Sequence, residues 1–349
     1  MIVAVAMLLA GAVAAGCASP QPNPAPWPAY PTFLSAPDRE TVALRDSFRP
    51  LDPCGYVDDA VIQRIGTPSY FGATDFFGGC VVVFRTPDGP NRSWINAGPE
   101  FPLLPPTPQP DIGRIFSTAY HSEKDSCGAS VTLDENLRFS VDVRHLPDAC
   151  TVARDLAQTA FDHRLERPLR ATSQRAYMNS RLATLDPCAV LGKIGQGHRP
   201  SLMTQDNDHP ARTGDVYFRA QWNANPWVCA FQLDDGDPST FQYIQYQFVN
   251  DEYKFAVSHV VQEGARDGKE VEIGGLRALE NPKGGDASSS LDGVSYGYCS
   301  IEIAVPPQPS VRDNPGKFEK IRITANSGCA AARTTAEELV RLYHQLSFA

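Results

Sequence analysis

Leu51-Asp52-Pro53-Cys54 and Leu185-Asp186-Pro187-Cys188 are one phrase written twice in a chain of 349 residues. Each copy has the grammar of a helix start. The aspartate carboxylate can accept from the free amides of the first turn. The proline then sits at the first helical position, where it has no N–H to lose and its φ is already set. After Asp52, the apolar residues Val57, Val61 and Ile65 lead to Gly66, which predicts a helix with a left-handed glycine C-cap. After Asp186, Val190, Leu191 and Ile194 lead to Gly195 in the same way. Each helix so predicted carries a cysteine in its first turn. Such a thiol can be a low-pKa nucleophile, but every candidate partner cysteine is duplicated too, which points to disulfides.

Working outward from the first phrase, Cys80-Val81-Val82-Val83-Phe84 reads as a buried strand. Ile112-Gly113-Arg114-Ile115 precedes Cys127. Gly128–Leu133 and Leu137–Val143 read as a hairpin. Asp148 is placed to cap a last helix running to Leu165, with Cys150 in its first turn. The second phrase is followed by the same series. Trp227–Phe231 contains Cys229, Ile273-Gly274-Gly275-Leu276 matches Ile112–Ile115, and Cys299–Ile303 matches the Cys127 strand. Lys320–Thr324 matches Leu137–Val143, and Ser327 is placed to cap a final helix carrying Cys329. The expected fold is α+β: two tandem domains, 38–168 and 175–349, each an antiparallel sheet with a short N-terminal helix, a C-terminal helix and two disulfides. The first copy is shorter in its middle and should lack a strand.

Eight of the nine cysteines fall four to a repeat. Four cysteines permit three pairings. Cys54–Cys80, Cys127–Cys150, Cys188–Cys229 and Cys299–Cys329 is the favoured set, because each bond ties the first turn of a helix to a strand. Zinc is the rival, but the C-x-x-C pairs it usually uses are missing, and no metal or other cofactor is expected. The ninth, Cys17, follows Ala14-Ala15-Gly16 at the end of an apolar run from Ile2. The run fits an export signal, 1–16, with Cys17 as its lipid-modified first mature residue. No Lys or Arg precedes it, so either the start lies upstream of Met1 or the signal is atypical. A proline-rich tether, 17–37, comes next. The expected localisation is the cell membrane, lipid-anchored on the extracytoplasmic face.

Thirty-one basic against 40 acidic residues, net −9, without a basic run, disfavours nucleic-acid binding. Gly293-Val294-Ser295-Tyr296-Gly297 has the G-x-S-x-G spacing of serine hydrolases, but that motif needs a strand before it and a helix after it. Here a Gly/Ser loop (Lys283–Ser290) precedes it and a strand follows. Asp206, Asp208 and His209 read as a loop, and Asp234, Asp235 and Asp237 around Gly236 as a turn. Phe241–Phe248 alternates as a strand with aromatic side chains. Tyr243, Tyr246 and Phe248, with Trp222 and Trp227, form the candidate binding surface.

The Asp-Pro-Cys helix start, Cys-containing strand, glycine before the third cysteine and fourth cysteine opening a terminal helix, behind a lipobox and tether, resemble an uncharacterised domain of actinobacterial envelope lipoproteins. Two copies would cover nearly everything after residue 38. The resemblance implies an envelope location and disulfides, and no activity. The expected role is therefore non-enzymatic: a lipid-anchored protein that binds an envelope protein, glycan or lipid, with two related surfaces on one tether. A carrier with an apolar pocket between helix and sheet is the alternative, and a hydrolase the third.

Overall fold

The computed structural model describes residues 34–74, 78–84, 93–100, 112–120, 125–134, 137–176, 180–202, 225–249, 268–282, 299–306 and 318–346. Among them lie two antiparallel sheets. The first is built from β1 (Tyr70–Ala73), β2 (Cys80–Phe84), β3 (Ser93–Glu100), β4 (Ile115–Ala119), β5 (Cys127–Asp134) and β6 (Leu137–Arg144), in the order β1-β2-β3-β6-β5-β4. The second uses β7 (Ser201–Leu202), β8 (Val228–Gln232), β9 (Phe241–Val249), β10 (Lys269–Ile273), β11 (Leu276–Asn281), β12 (Cys299–Val305) and β13 (Phe318–Ala325). Its order is β10-β11-β12-β13-β9-β8-β7. With β10 set aside, the two orders are the same, and β10 is the strand the first sheet lacks.

Side chains alternate across each strand, and β6 alternates buried and half-buried along its whole length. Each buried face is covered by helices. Here α1 spans Ala36–Ser47, α2 Asp59–Ile65, α3 Ala149–Asp162, α4 Leu191–Ile194 and α5 Cys329–Gln345. Helix α3 presents Ala153, Leu156, Ala157 and Ala160 to the first sheet, all fully buried. Small residues let its backbone come close. Helix α5 does the same for the second sheet with Ala332, Ala336, Leu339 and Val340. Gly113 (φ +84°) lies against the Phe161 ring, and Gly274 (φ +55°) against Val340. At both places positive φ and the close helix call for glycine. The match of Ile112–Ile115 to Ile273–Leu276 holds in this spatial sense. Strand register differs, however, because Ile115 pairs as Ala278 does, two residues further on.

The four disulfides are Cys54–Cys80, Cys127–Cys150, Cys188–Cys229 and Cys299–Cys329. They span 23 to 41 residues of chain, and loops of that length are worth about 3–4 kcal/mol each in the chain-entropy account.

Several expectations need correction. Asp52 and Asp186 do accept from Cys54 N (2.8 Å) and Cys188 N (2.9 Å), but each caps a 3-10 turn. The first turn, Pro53–Tyr56, ends at Val57, which is extended, and Asp58 caps α2 afresh. Gly66 has φ +150° rather than a left-handed helical φ, and Gly195 stays right-handed. Neither Asp148 nor Ser327 caps with its side chain. Asp148 has φ +55°, α3 ends at Asp162, and Gly328 occupies the cap of α5.

The stretch 38–168 does not pack as one body. Leu34 and Val42, in and beside α1, belong to the core under the second sheet, while Phe48 and Leu51 belong to the first. Arg45, 1% exposed, anchors α1 there. It donates to Asp186 Oδ1 (2.8 Å), Asp46 Oδ1 (2.9 Å) and Val228 O (2.9 Å). Arg49 reaches Asp46 (2.8 Å) and Asp186 (3.3 Å), and its guanidinium lies 5.0 Å from the centre of the Trp227 ring. Burial pushes the Asp186 carboxyl up, and the charges of Arg45 and Arg49 more than reverse this, holding it below the usual carboxylate range. The linker returns the contact. Asp52 N donates to Pro168 O and Arg170 N to Pro50 O, both at 2.8 Å, and Ala176 packs in the first core.

Candidate functional site

The face of the first sheet turned away from α3 carries the smallest side chains of the sheet at its centre. Strand register sets two cross-strand rows. In one, Gly98, Ser140, Ser130 and Phe116 lie side by side on β3, β6, β5 and β4. In the next, Asn96, Asp142, Gly128 and Thr118 do so. Glycine and serine in the middle, with longer side chains around them, leave a hollow of about 820 Å³. Its lining includes Arg138 and Tyr120, with Phe48, Arg170, Asn225 and Pro226 from neighbouring segments.

Polar groups of both kinds face this space. Arg138 donates to the Ser130 hydroxyl. Arg144 Nε donates to both oxygens of Asp142 (2.8 and 3.0 Å), and its guanidinium stacks 4.1 Å from the centre of the Tyr120 ring. The Tyr120 hydroxyl hangs over Gly128, where a Cβ would stand 2.7 Å from it. Burial, then the Asp142 charge, push that phenol up. Among the described residues nothing hydrogen-bonds the Asn96 amide or the Thr118 hydroxyl. Phe116 is half exposed at the lip, with the Arg114 guanidinium 4.8 Å from its ring centre. Arg170 is buried at the margin, and burial, only partly offset by Asp52, brings its guanidinium down to about 10.

The second sheet fills the same positions. Aligned on Cys127 and Cys299, the register sets Gly98, Ser140 and Ser130 against Gln245, Arg322 and Glu302. It sets Asn96, Asp142 and Gly128 against Tyr243, Thr324 and Ser300. Lys320 pairs with Glu302 at 3.0 Å across this face. The expected pair of related surfaces is therefore not what the two sheets present.

The aromatic residues singled out in the sequence are differently placed. Trp227 and Tyr246 are buried in the second core, with Trp227 under Arg49, so they offer no surface to a partner. Burial pushes the Tyr246 phenol well above its ordinary value. Tyr243 lies half-buried on the opposite face. Trp222 and the side chain of Phe248 lie outside the described residues, as do Cys17, Asp206, Asp208, His209, Lys283–Ser290 and Ser295. Asp234, Asp235 and Asp237 stand at a turn through Gly236 (φ +81°), and Asp234 meets His198 Nδ1 at 2.9 Å. No cluster of three potential metal ligands occurs among the described residues, and no helix among them is long and apolar enough to cross a membrane.

The residues around the hollow were not singled out in the sequence. The available signal was the contrast at outward positions of matched strands: Arg138, Ser140 and Asp142 against Lys320, Arg322 and Thr324. The chain matches no family model, no curated protein and no solved structure.

Proposed function

We propose that this is a lipid-anchored cell-envelope protein, held to the extracytoplasmic face through Cys17, that binds rather than catalyses. The two units are tandem copies, and only the first binds. One observation carries the reading: the first sheet keeps a polar hollow open at positions the second sheet fills. Four disulfides support an oxidising compartment. Filled cores under α3 and α5 leave the space opposite the helices, not between helix and sheet, as the place for a ligand.

The test is native mass spectrometry of the full-length protein, extracted in mild detergent from an actinobacterial host. Wild type should carry an added mass beyond the lipid modification. Ser140→Arg, which puts the second sheet's residue into the hollow, should lose it. A bare mass for both proteins would overturn the binding role. Anchoring has its own check: Cys17→Ala should release the protein from membranes, and unchanged membrane association would sink that part.

A further inference from the structure

We infer that the hollow on the first sheet takes a neutral glycan, an inference that rests on the binding role proposed above. Its volume, about 820 Å³, lies within the range of small-ligand sites. Its lining fits a polyhydroxylated molecule better than the alternatives. Hydroxyls of Ser130, Ser140, Thr118 and Tyr120, the Asn96 amide and the Asp142 carboxylate offer both donors and acceptors. An apolar ligand would strip water from these groups and give nothing back. Against an anion, Asp142 sets a carboxylate on the same floor, and Arg144 is paired with it. A peptide added as a strand needs a free sheet edge. The hollow instead lies over β3, β6 and β5, the interior strands, whose ladders are already paired on both sides.

Two further features suit a sugar ring. Phe116 stands half exposed at the lip, and the Tyr120 ring lies on the same face. A pyranose or furanose has an apolar C–H face that an aromatic ring can cover while its hydroxyls reach the polar floor. The glycines at 98 and 128 let the Gly78–Gly79 backbone and the Tyr120 hydroxyl come close to the sheet, and both of these line the hollow.

The experiment is titration calorimetry of the full-length protein in detergent with a fixed panel of hexasaccharides: glucan, mannan, galactan, arabinan and chitin types. At least one should bind saturably. Phe116→Ala and Ser140→Arg should each weaken it by about tenfold or more. Both variants should keep the wild-type circular dichroism and show no free thiol beyond wild type. Failure of every hexasaccharide to bind would overturn the glycan assignment, as would binding that both variants leave unchanged. If the native mass lost in Ser140→Arg persists as a fact while no hexasaccharide binds, the hollow remains the binding site and only the glycan falls. The same sugar presented as a glycolipid in phosphatidylcholine vesicles separates the sources. Tighter binding to the vesicle assigns a glycolipid headgroup, and equal binding assigns a free polysaccharide.

Discussion

The two sheets share strand order, disulfide positions and helix placement, and they differ on the face the helices do not cover. Core-facing positions mostly exchange one apolar residue for another, as Val131 for Ile303 and Val141 for Ile323, with Leu137 against Glu319 the exception. Outward positions change kind, from glycine, serine and asparagine to glutamine, arginine, glutamate and tyrosine. Packing constrains the inner set in both units, because any void or excess volume there costs stability. Two of the small outer residues of the first sheet are also set by contact: a Cβ at Gly98 would stand 3.0 Å from Gly78 O, and one at Gly128 would stand 2.7 Å from the Tyr120 hydroxyl. The hollow present on the first sheet and filled on the second is the difference on which the proposed binding role rests.

The largest expected difference between the units lies at the repeated aspartates. Asp186 and Asp52 make the same capping bond, but Asp186 also neutralises Arg45 and Arg49 in the interior. Asp186→Ala should cost about 3–5 kcal/mol in denaturant unfolding, the usual loss when a buried pair is broken and its partner left charged. Asp52→Ala loses a cap worth about 1 kcal/mol and the charge that partly offsets the burial of Arg170, and should still cost less than Asp186→Ala. Because the Asp186 carboxyl is held below its ordinary value, its contribution is present at neutral pH and lost as pH falls through the folded-state value. Equal losses for the two variants would mean that the ion cluster does not distinguish the units.

The next contrast is one residue deep in the sheets. Leu137 and Glu319 precede the matched pair Arg138 and Lys320, and both are 2% exposed. Burial pushes the Glu319 carboxyl up to about 7, against hydrogen bonds from the Ser180 hydroxyl and the Leu182 N–H. In the unfolded chain it titrates near its ordinary 4.5. Between those values the folded state holds the extra proton, so stability falls as pH rises from about 4.5 to about 7 and is level beyond. The whole loss is about 3 kcal/mol. Glu319→Gln should remove this slope from unfolding free energies measured across that interval. A slope that survives the substitution would show that another group carries it.

Much of the frame was legible because its signals are local or repeated. Alternation marked β5, β6, β12 and β13, and cysteines in matching settings gave the pairing that is observed. Strand β3 was not legible. Its Asn96, Gly98 and Pro99 are poor strand formers, and the first two are among the residues that open the hollow. What makes the site thus also hides its strand. The Arg45–Asp186 pair was hidden differently, by 141 residues of chain between its partners. Tyr246 and Trp227 were legible as aromatic but not as buried. Alternation divides a strand into two faces without saying which one meets the core, and Trp227 is covered by Arg49, two residues beyond the end of α1.

The smallest expected effect is also the sharpest test of what separates the two outer faces. The triple variant Gln245→Gly, Arg322→Ser, Glu302→Ser gives the second sheet the central row of the first. It removes Lys320–Glu302 and the longer Arg322–Glu302 contact, pairs on a partly buried face worth about 1 kcal/mol. It also places one glycine in a strand, at about 0.5–1 kcal/mol. Unfolding should therefore shift by only about 1–2 kcal/mol. Ligand stoichiometry should stay at one per chain. A low floor is not a site by itself: the position that holds half-exposed Phe116 in the first sheet holds Leu279 in the second, only 5% exposed. The second sheet would gain a recess without an aromatic lip. A second equivalent of ligand bound by the triple variant would show that the floor suffices and that Phe116 has been given too large a part.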